Sequence, residues 1–488
     1  MENTKKARVI ALYLPQYHPV AENDKYWGKG FTEWTNVAKA KPLFKGHDQP
    51  RIPADLGFYD LRLPQVRKEQ AELAKEAGIE GFCYWHYWFG NGKEVLQMPF
   101  DEVVKSGEPD FPFCLGWANH DWTTKTWEKG KVTVKDTMIF KQEYPGDEDY
   151  ILHFNRFLKA FKDDRYIKVD GKLLFLIFNP FGLPDTKHFI DLWNKLAKEN
   201  GLSGFHFVGI VDSMPTITKE NIKNIDKAVD DNVSETKALG FDAVGTTDQK
   251  YAELKTGGKL RKICYAAVRR VLPGALLDKF DYSKIIDNFY SPSDKRDDVY
   301  PQLLAGWDRS PRSGRKAIIY YNNTPDTFKK AANRAVECVK DKNPEHRIVF
   351  LNSWNEWGEG AYLEPDVKYG YSYLNSTKEA ILETRKLNKK ILYVSHDTKY
   401  GGAQLLSLNI IKYLKEKFKY DISIIAINCG WFEDEFKKYG DFYNVDNNLE
   451  KAHSIIKKLR NSGVDIAICN TVISGDLVKL LKNENYKV

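Results

Sequence analysis

The stretch RIVFLNSWNEWGEGAYLEPD (residues 347–366) begins as a continuous apolar run. It ends in a turn-prone segment with three glutamates, two glycines and several aromatic residues. An apolar run without polar alternation is the pattern of a parallel strand buried on both faces. Seven runs of the same kind precede it: residues 8–14 (RVIALYL), 81–88 (GFCYWHYW), 111–118 (FPFCLGWA), 173–179 (LLFLIFN), 205–211 (FHFVGIV), 241–247 (FDAVGTT) and 317–322 (AIIYYN). Helical spacing fills the gaps at residues 63–78, 147–161, 185–201 and 324–341, and residues 376–387 follow the eighth run. The first of these helices carries Pro64 near its start and closes on Gly78, the usual asymmetry of helix ends. Eight strand–helix units predict an α/β fold of the (β/α)8, TIM-like class. Residues 248–315 are too long and mixed for a simple connection and are expected as a partly helical insertion near the barrel mouth.

After Leu387 the pattern restarts with KKILYVSHDTKYGGAQ, a strand and a Gly-containing loop, followed by an amphipathic helix. Two more strands follow at YDISIIAINC and VDIAICN. This predicts a smaller Rossmann-like α/β domain that stops at three strands. The expected domains are therefore residues 1–388 and 389–488.

Bulk properties narrow the function classes. The chain has 488 residues, 42% of them hydrophobic and 14% aromatic. That is long enough for more than one core, and the ring content is suited to stacking on sugar faces. The net charge of +7 is dispersed over 74 basic and 67 acidic residues without a long basic block, so nucleic acid is not an expected partner. The six cysteines are scattered, a pattern of reduced thiols rather than of a disulfide frame or zinc site. Neither a signal peptide nor a membrane-length apolar run is read, and the expected location is cytoplasmic. No cofactor is expected. The spacing of His18, His86 and His120 supports no metal triad.

In a (β/α)8 barrel the loops at the C-terminal strand ends build the active site. Residues 355–366 form the loop after the eighth run. Other strand ends bring candidates to the same face: Tyr13, Gln16 and His18 after the first, and Trp85, His86, Tyr87 and Trp88 at the second. Trp117, Asn119, His120 and Asp121 follow the third, Asn179 ends the fourth and Asp212 follows the fifth. Glycoside cleavage needs one carboxylic acid to protonate the departing oxygen and a second carboxylate as nucleophile or base. Glu356 and Glu359 are three apart, and Gly358 and Gly360 permit a tight turn that brings both to one pocket. Trp354 and Trp357 would lower the local dielectric and raise the pKa of the carboxyl that keeps its proton. Trp354, Asn355, Trp357, Tyr362 and Glu364 complete the expected substrate contacts. Two plainer readings stand beside these: glutamates paired with Lys or Arg on a solvated loop, and Asn119 and Asp121 holding a turn.

The motif SWNEWGEGAYLEPD, with ALYLPQYHP and GFCYWHYWF, resembles the WbsX-type proteins, relatives of glycoside hydrolase family 99, which are endo-acting enzymes on α-mannans. The resemblance covers residues 8–387 and implies a barrel with Glu359 as general acid/base. Glu356 would assist attack at the anomeric carbon by deprotonating a neighbouring 2-hydroxyl, with retention of configuration on manno-like sugars. For another sugar Glu356 would attack directly. The segment ILYVSHDTKYGGAQ resembles the N-terminal half of family 4-type glycosyltransferases of the two-Rossmann architecture. That implies Gly401 and Gly402 near a donor diphosphate or an acceptor. The partner expected is an oligo- or polysaccharide, free or lipid-linked. Three functions remain open: a glycosidase or transglycosylase of surface polysaccharide metabolism, a glycosyltransferase of O-antigen or capsule assembly, and a non-catalytic glycan-binding module.

Overall fold

The computed structural model describes residues 5–124, 137–213, 224–272, 276–382 and 390–488, without the side chains of 259–264, 266, 269 and 270. Two compact units result, Met1–Glu383 and Thr384–Val488. The domain boundary expected at 388/389 falls on residues 383–389, outside the described residues.

Eight strands form the first unit's main sheet. They are β1 (Arg8–Tyr13), β2 (Gly81–Trp88), β3 (Phe113–Trp117), β4 (Lys172–Ile177), β5 (Phe205–Asp212), β6 (Ala243–Thr247), β7 in two pieces (Val299–Tyr300 and Gln302–Leu304) and β8 (Ile348–Asn352). Each pairs in parallel with the next in chain order, and β8 pairs with β1 in the register Arg8 opposite Ile348. The closure lies in β7. Val299 pairs with Val244 of β6, while Gln302 pairs with Phe350 of β8. The two ends of the sheet are therefore two halves of one strand, split at Pro301. Proline withdraws one donor from the ladder, but its carbonyl still accepts from the Phe350 amide at 3.0 Å.

This corrects the sequence reading. Residues 317–322 are not the seventh barrel strand. Ile318–Tyr321 pairs with Asp278–Asp281 in a separate two-stranded parallel sheet. The true seventh strand lies inside the segment expected to be an insertion, which also holds the helices Gln249–Val271 and Tyr282–Asp287. A proline and a glutamine break its apolar run into pieces too short to read.

Four helices form where the sequence places them, while the one expected at 376–387 runs over Ser372–Ile381, residues 383–387 lying outside the described residues. Pro64–Glu76 starts on Pro64, whose missing amide would be unsatisfied in any first turn. Asp147–Phe161 opens with three acids facing the positive end of the helix dipole, and buries Tyr150, Phe154, Phe157 and Phe161 along one stripe. Thr186–Glu199 is capped by Asp185, which accepts from the His188 amide at 2.9 Å. Pro325–Val339 buries Phe328, Ala332, Ala335 and Val339. These stripes pack on the strands in one continuous core.

In the second unit four parallel strands form one sheet: β9 (Lys390–Ser395), β10 (Asp421–Ala426), β11 (Asp441–Asn444) and β12 (Ile466–Cys469), in the order β11-β10-β9-β12. Three strands were expected. The fourth, DFYN, has no fully buried residue and hence no apolar run to announce it. Lys487 also bridges in parallel to Ile466, beyond β12. Among the described residues no helix is long and apolar enough to cross a membrane.

Between β2 and the helix Asp147–Phe161, the Nε2 atoms of His86 and His153 lie 2.9 Å apart, and the His153 ring stacks on Trp88. Burial lowers the His86 pKa to about 3 and drives that of His153 well below the ordinary value. Both rings are thus neutral in the fold, and their contribution is complete above pH 6.5 and lost as pH falls below it. A His153→Phe variant is expected to show a shallower loss of stability between pH 6.5 and 4 than the wild type, measured by urea midpoints across that range.

Candidate active site

The loop after β8 is a small hairpin. Asn355–Glu356 pairs antiparallel with Ala361–Tyr362, and the turn between them, Trp357–Glu359, is a single 3-10 turn. Gly360 closes it at φ +64°, a conformation that favours glycine. Gly358 has a different reason: a Cβ there would lie 1.5 Å from the Glu33 carboxylate. Several contacts fix the hairpin. Asn355 receives the Leu14 amide at 2.8 Å and donates to the Leu14 carbonyl at 3.0 Å, tying β8 to β1. Ser353 Oγ accepts from the Glu356 amide and donates to the Ala361 carbonyl, each at 2.8 Å. The Tyr17 hydroxyl donates to the Asn355 carbonyl and accepts from the Trp357 amide. Trp357 stacks on Tyr362 at 3.7 Å.

The hairpin brings Glu356 and Glu359 together, and they are not free. Arg312, from the loop after β7, places one Nη1 atom 3.1 Å from Glu356 Oε1 and 2.6 Å from Glu359 Oε1. Those lengths keep the two oxygens within about 5.7 Å of each other. Its Nε donates to Glu33 at 2.9 Å, from the helix Glu33–Lys39 after β1. Arg309 adds a second guanidinium to Glu359 at 3.0 Å. The glutamates do pair with arginines, as the plainer reading required, but in a buried cluster rather than on a solvated loop. The Arg312 side chain is 4% exposed, against 18% for Glu356 and 12% for Glu359. Burial raises the Glu356 pKa to about 7, with the charge of Glu359 adding to the rise and Arg312 opposing it. Tyr87 of β2 feels the same charges; burial and Glu356 together raise its hydroxyl's pKa.

The β7 loop is itself anchored. Asp308 accepts from Gln49 Nε2 at 2.7 Å and from the Ser310 amide at 3.0 Å, and lies 2.8 Å from His47 Nε2. His47 Nδ1 accepts from the Leu43 amide, so the ring proton is on Nε2 and points at Asp308. Despite its burial, Asp308 is held at a pKa of about 2 by His47 and Arg51.

The expected contact residues divide. Trp85 and Tyr87 are half-buried on β2, His120 and Asn179 are half-buried in loops, and Asp121 is exposed. Trp85 lies over Gly116, where a Cβ would meet its ring at 2.8 Å. Asp212 is half-buried and paired with Lys250; the others are buried, and several direct their polar atoms to the protein itself. Tyr13 donates to Gln70 on the helix Pro64–Glu76, outside the barrel wall. Trp88 donates to Asp149 and Trp117 to the Trp88 carbonyl. His18 and Trp354 are enclosed. Asn119 donates to the Asn179 carbonyl and accepts from the Asn179 amide, so it ties the loop after β3 to the loop after β4. Asn355, Trp357 and Tyr362 build the hairpin. Glu364 is 2% exposed and accepts from Trp357, Gln70 and Tyr59, so it supports the hairpin from beneath. Gln16 is buried too, yet neither polar atom of its side chain has a hydrogen-bond partner among the described residues.

Glu33, Arg309, Arg312 and Asp308 were missed. The signal for the last three was the segment AGWDRSPRSGR (residues 305–315), hidden with the misplaced seventh strand, whereas Glu33 lies in FTEWT after β1. In the second unit Gly401 and Gly402 sit between β9 and the start of the helix Gly402–Phe418, as the sequence indicates.

With the fold and this cluster in hand, comparison places the protein. Residues 9–377 match the family described as "Glycosyltransferase WbsX". The chain belongs to that family. Two relatives, each called "Uncharacterized protein WxcX" and from strains B100 and ATCC 33913 of Xanthomonas campestris pv. campestris, are 35% and 34% identical over 384 residues. The matches cover 78% of this chain, which spans about half the length of the curated relatives it matches. Among solved structures, a "glycoside hydrolase-like protein" aligns at TM-score 0.49 and 15% identity, covering 78% of this chain and 96% of its own. The GH99 endo-alpha-mannosidase from Bacteroides thetaiotaomicron aligns at TM-score 0.39 and 15% identity, covering 76% and 96%.

Two outcomes test this geometry. Arg312→Met strands three carboxylates in a desolvated cluster and is expected to lower unfolding free energy by about 3–5 kcal/mol, read by denaturant titration; the half-exposed Arg309→Met costs under about 1 kcal/mol. Glu356 has a folded pKa above its ordinary value, so its ionisation costs the fold stability as pH rises from about 4.5 to about 7. Glu356→Gln is expected to flatten that decline in melting temperature, while Glu364, also at about 7, leaves a residual slope.

Proposed function

We propose that the barrel is a carbohydrate-active enzyme that cleaves or transfers glycosidic bonds of a surface polysaccharide through Glu356 and Glu359. The observation that carries the reading is the approach of the two carboxyls, on one guanidinium nitrogen, at the C-terminal mouth of the barrel. Carboxyls roughly 5–5.5 Å apart belong to retaining chemistry, whereas inverting pairs stand further apart to admit a water. One carboxyl gives its proton to the departing oxygen. The other assists attack at the anomeric carbon, directly or by taking the proton of a 2-hydroxyl trans to the leaving group.

The two environments favour a division of labour. Glu359 takes guanidinium contacts from Arg309 and Arg312, Glu356 from Arg312 alone. A carboxyl poised near neutrality suits proton exchange at working pH, and Glu356 is assigned that task. This inverts the roles implied by the family resemblance. Trp85 and Tyr87 supply ring faces for the sugar, and Gln16 supplies unspent polar atoms. A glycosyltransferase role is the second reading. It is favoured by the family's description and by the β11-β10-β9-β12 order, the arrangement of a nucleotide-binding half-domain. In that reading Gly401 and Gly402 approach a donor diphosphate or an acceptor.

Incubation with manno-oligosaccharides and bacterial surface glycans is expected to release new reducing ends. Glu356→Gln and Glu359→Gln should each lower the rate by at least about a hundredfold. Full turnover in either variant removes that residue from the mechanism. Label passing from a nucleotide sugar into an acceptor, without cleavage, selects the transferase reading.

A further inference from the structure

The exposed end of the carboxyl cluster is Arg309. Its Nε is enclosed 3.0 Å from Glu359, yet the side chain as a whole is 42% exposed, against 4% for Arg312. Arg312 is spent on three carboxylates. Arg309 has Glu359 as its one ion-pair partner among the described residues, and neither of its terminal nitrogens donates a hydrogen bond there. Glu359 Oε1 already receives Arg312 at 2.6 Å, so a second, half-exposed guanidinium adds little to holding it. The base of the side chain is fixed. The Arg309 carbonyl accepts from the Arg312 and Ser313 amides at 3.1 and 2.8 Å, and Asp308 beside it is held by His47 and Gln49. The guanidinium lies over the half-buried Trp307 ring, 6.0 Å from its centre. Residues 305–316 carry Arg309, Arg312, Arg315 and Lys316 against Asp308 as their one acid.

We propose that Arg309 selects glycans bearing an anionic substituent, a carboxylate or a phosphate, beside the bond held at Glu356 and Glu359. The inference rests on the reading of that pair as the reacting carboxyls. A guanidinium on a rigid base, backed by an indole and with its terminal donors unspent, suits a planar anion taken through two parallel bonds. A sugar seated at the pair puts its neighbouring substituents about one guanidinium width from Glu359. The raised pKa of Glu356 keeps the cluster from repelling such a group. With Glu356 protonated, Glu33 and Glu359 stand against two arginines.

Calorimetric titration of the intact chain carrying Glu356→Gln, which mimics the protonated carboxyl and slows turnover, tests this. The ligands are mannuronate oligosaccharides, the same oligosaccharides after carboxyl reduction, and manno-oligosaccharides bearing mannose 6-phosphate. An acidic ligand is expected to bind at least about tenfold more tightly than the neutral one, with the gap narrowing as salt rises. Adding Arg309→Gln should close the gap, and Arg309→Lys, a point charge without the fork, should restore only part of it. The larger of the two acidic gains tells carboxylate from phosphate. Equal affinity for acidic and neutral ligands, binding of none of them, or a gap that survives Arg309→Gln overturns the inference. Cleavage of neutral and acidic glycans at equal rates by the wild type also overturns it, and leaves the Glu356–Glu359 reading intact. An Arg309-dependent gap in a protein that releases no reducing ends keeps the anion site and removes the chemistry assigned to the pair.

Discussion

A guanidinium taken out of water and shared among three carboxylates organises this barrel's mouth. Burying an ion costs several kcal/mol, which close opposite charges offset only when the geometry is good. Arg312 meets that condition because its partners come from different strand ends: Glu33 after β1, and Glu356 and Glu359 after β8. The arginine itself comes from the loop after β7. One side chain therefore crosses the seam where the barrel closes. Without it, three carboxylates in a desolvated pocket would repel and take up protons.

The surrounding contacts make sense as support for that cluster. Asn355 locks the β8 end to the β1 end through both backbone groups of Leu14. Asp308 is immobilised by His47 and Gln49, which fixes the loop that carries Arg309 and Arg312. Glu364 holds the Trp357 indole from below. Side chains with packed, hydrogen-bonded backing hold position to the tolerance that bond-making chemistry needs. Most of the aromatic and amide residues near the mouth serve this support, and few rings and carboxyls there stay accessible.

Burial acts in opposite directions on the titratable groups here. It pushes Glu356 up to about 7 and His86 down to about 3, because in each case the uncharged form is cheaper to desolvate. Neutral histidines serve packing between β2 and its helix. The partly shielded Glu356 carboxyl lies beside a single arginine, Arg312, and the charge of Glu359 adds to the rise of its pKa. The same physics thus acts on a packing element between β2 and its helix and on a carboxyl in the Arg312 cluster.

The repeating alternation of apolar runs and helical spacing was enough to specify a (β/α)8 barrel and a following parallel α/β unit, since burial on both faces leaves a run that any reader can count. The carboxyl pair, the turn-permitting glycines and the hairpin loop were legible for the same local reason. Pro301 hid the seventh strand, because its pairing depends on two neighbours rather than on its own composition. With that strand misplaced, the loop bearing Arg309 and Arg312 was invisible as part of the mouth. Residues such as Tyr13, Trp117 and Glu364 read as site residues, since sequence reports which strand end a side chain sits on but not which side of the wall it faces. Only the closed ring decides that, by bringing residues hundreds of positions apart within reach of one guanidinium.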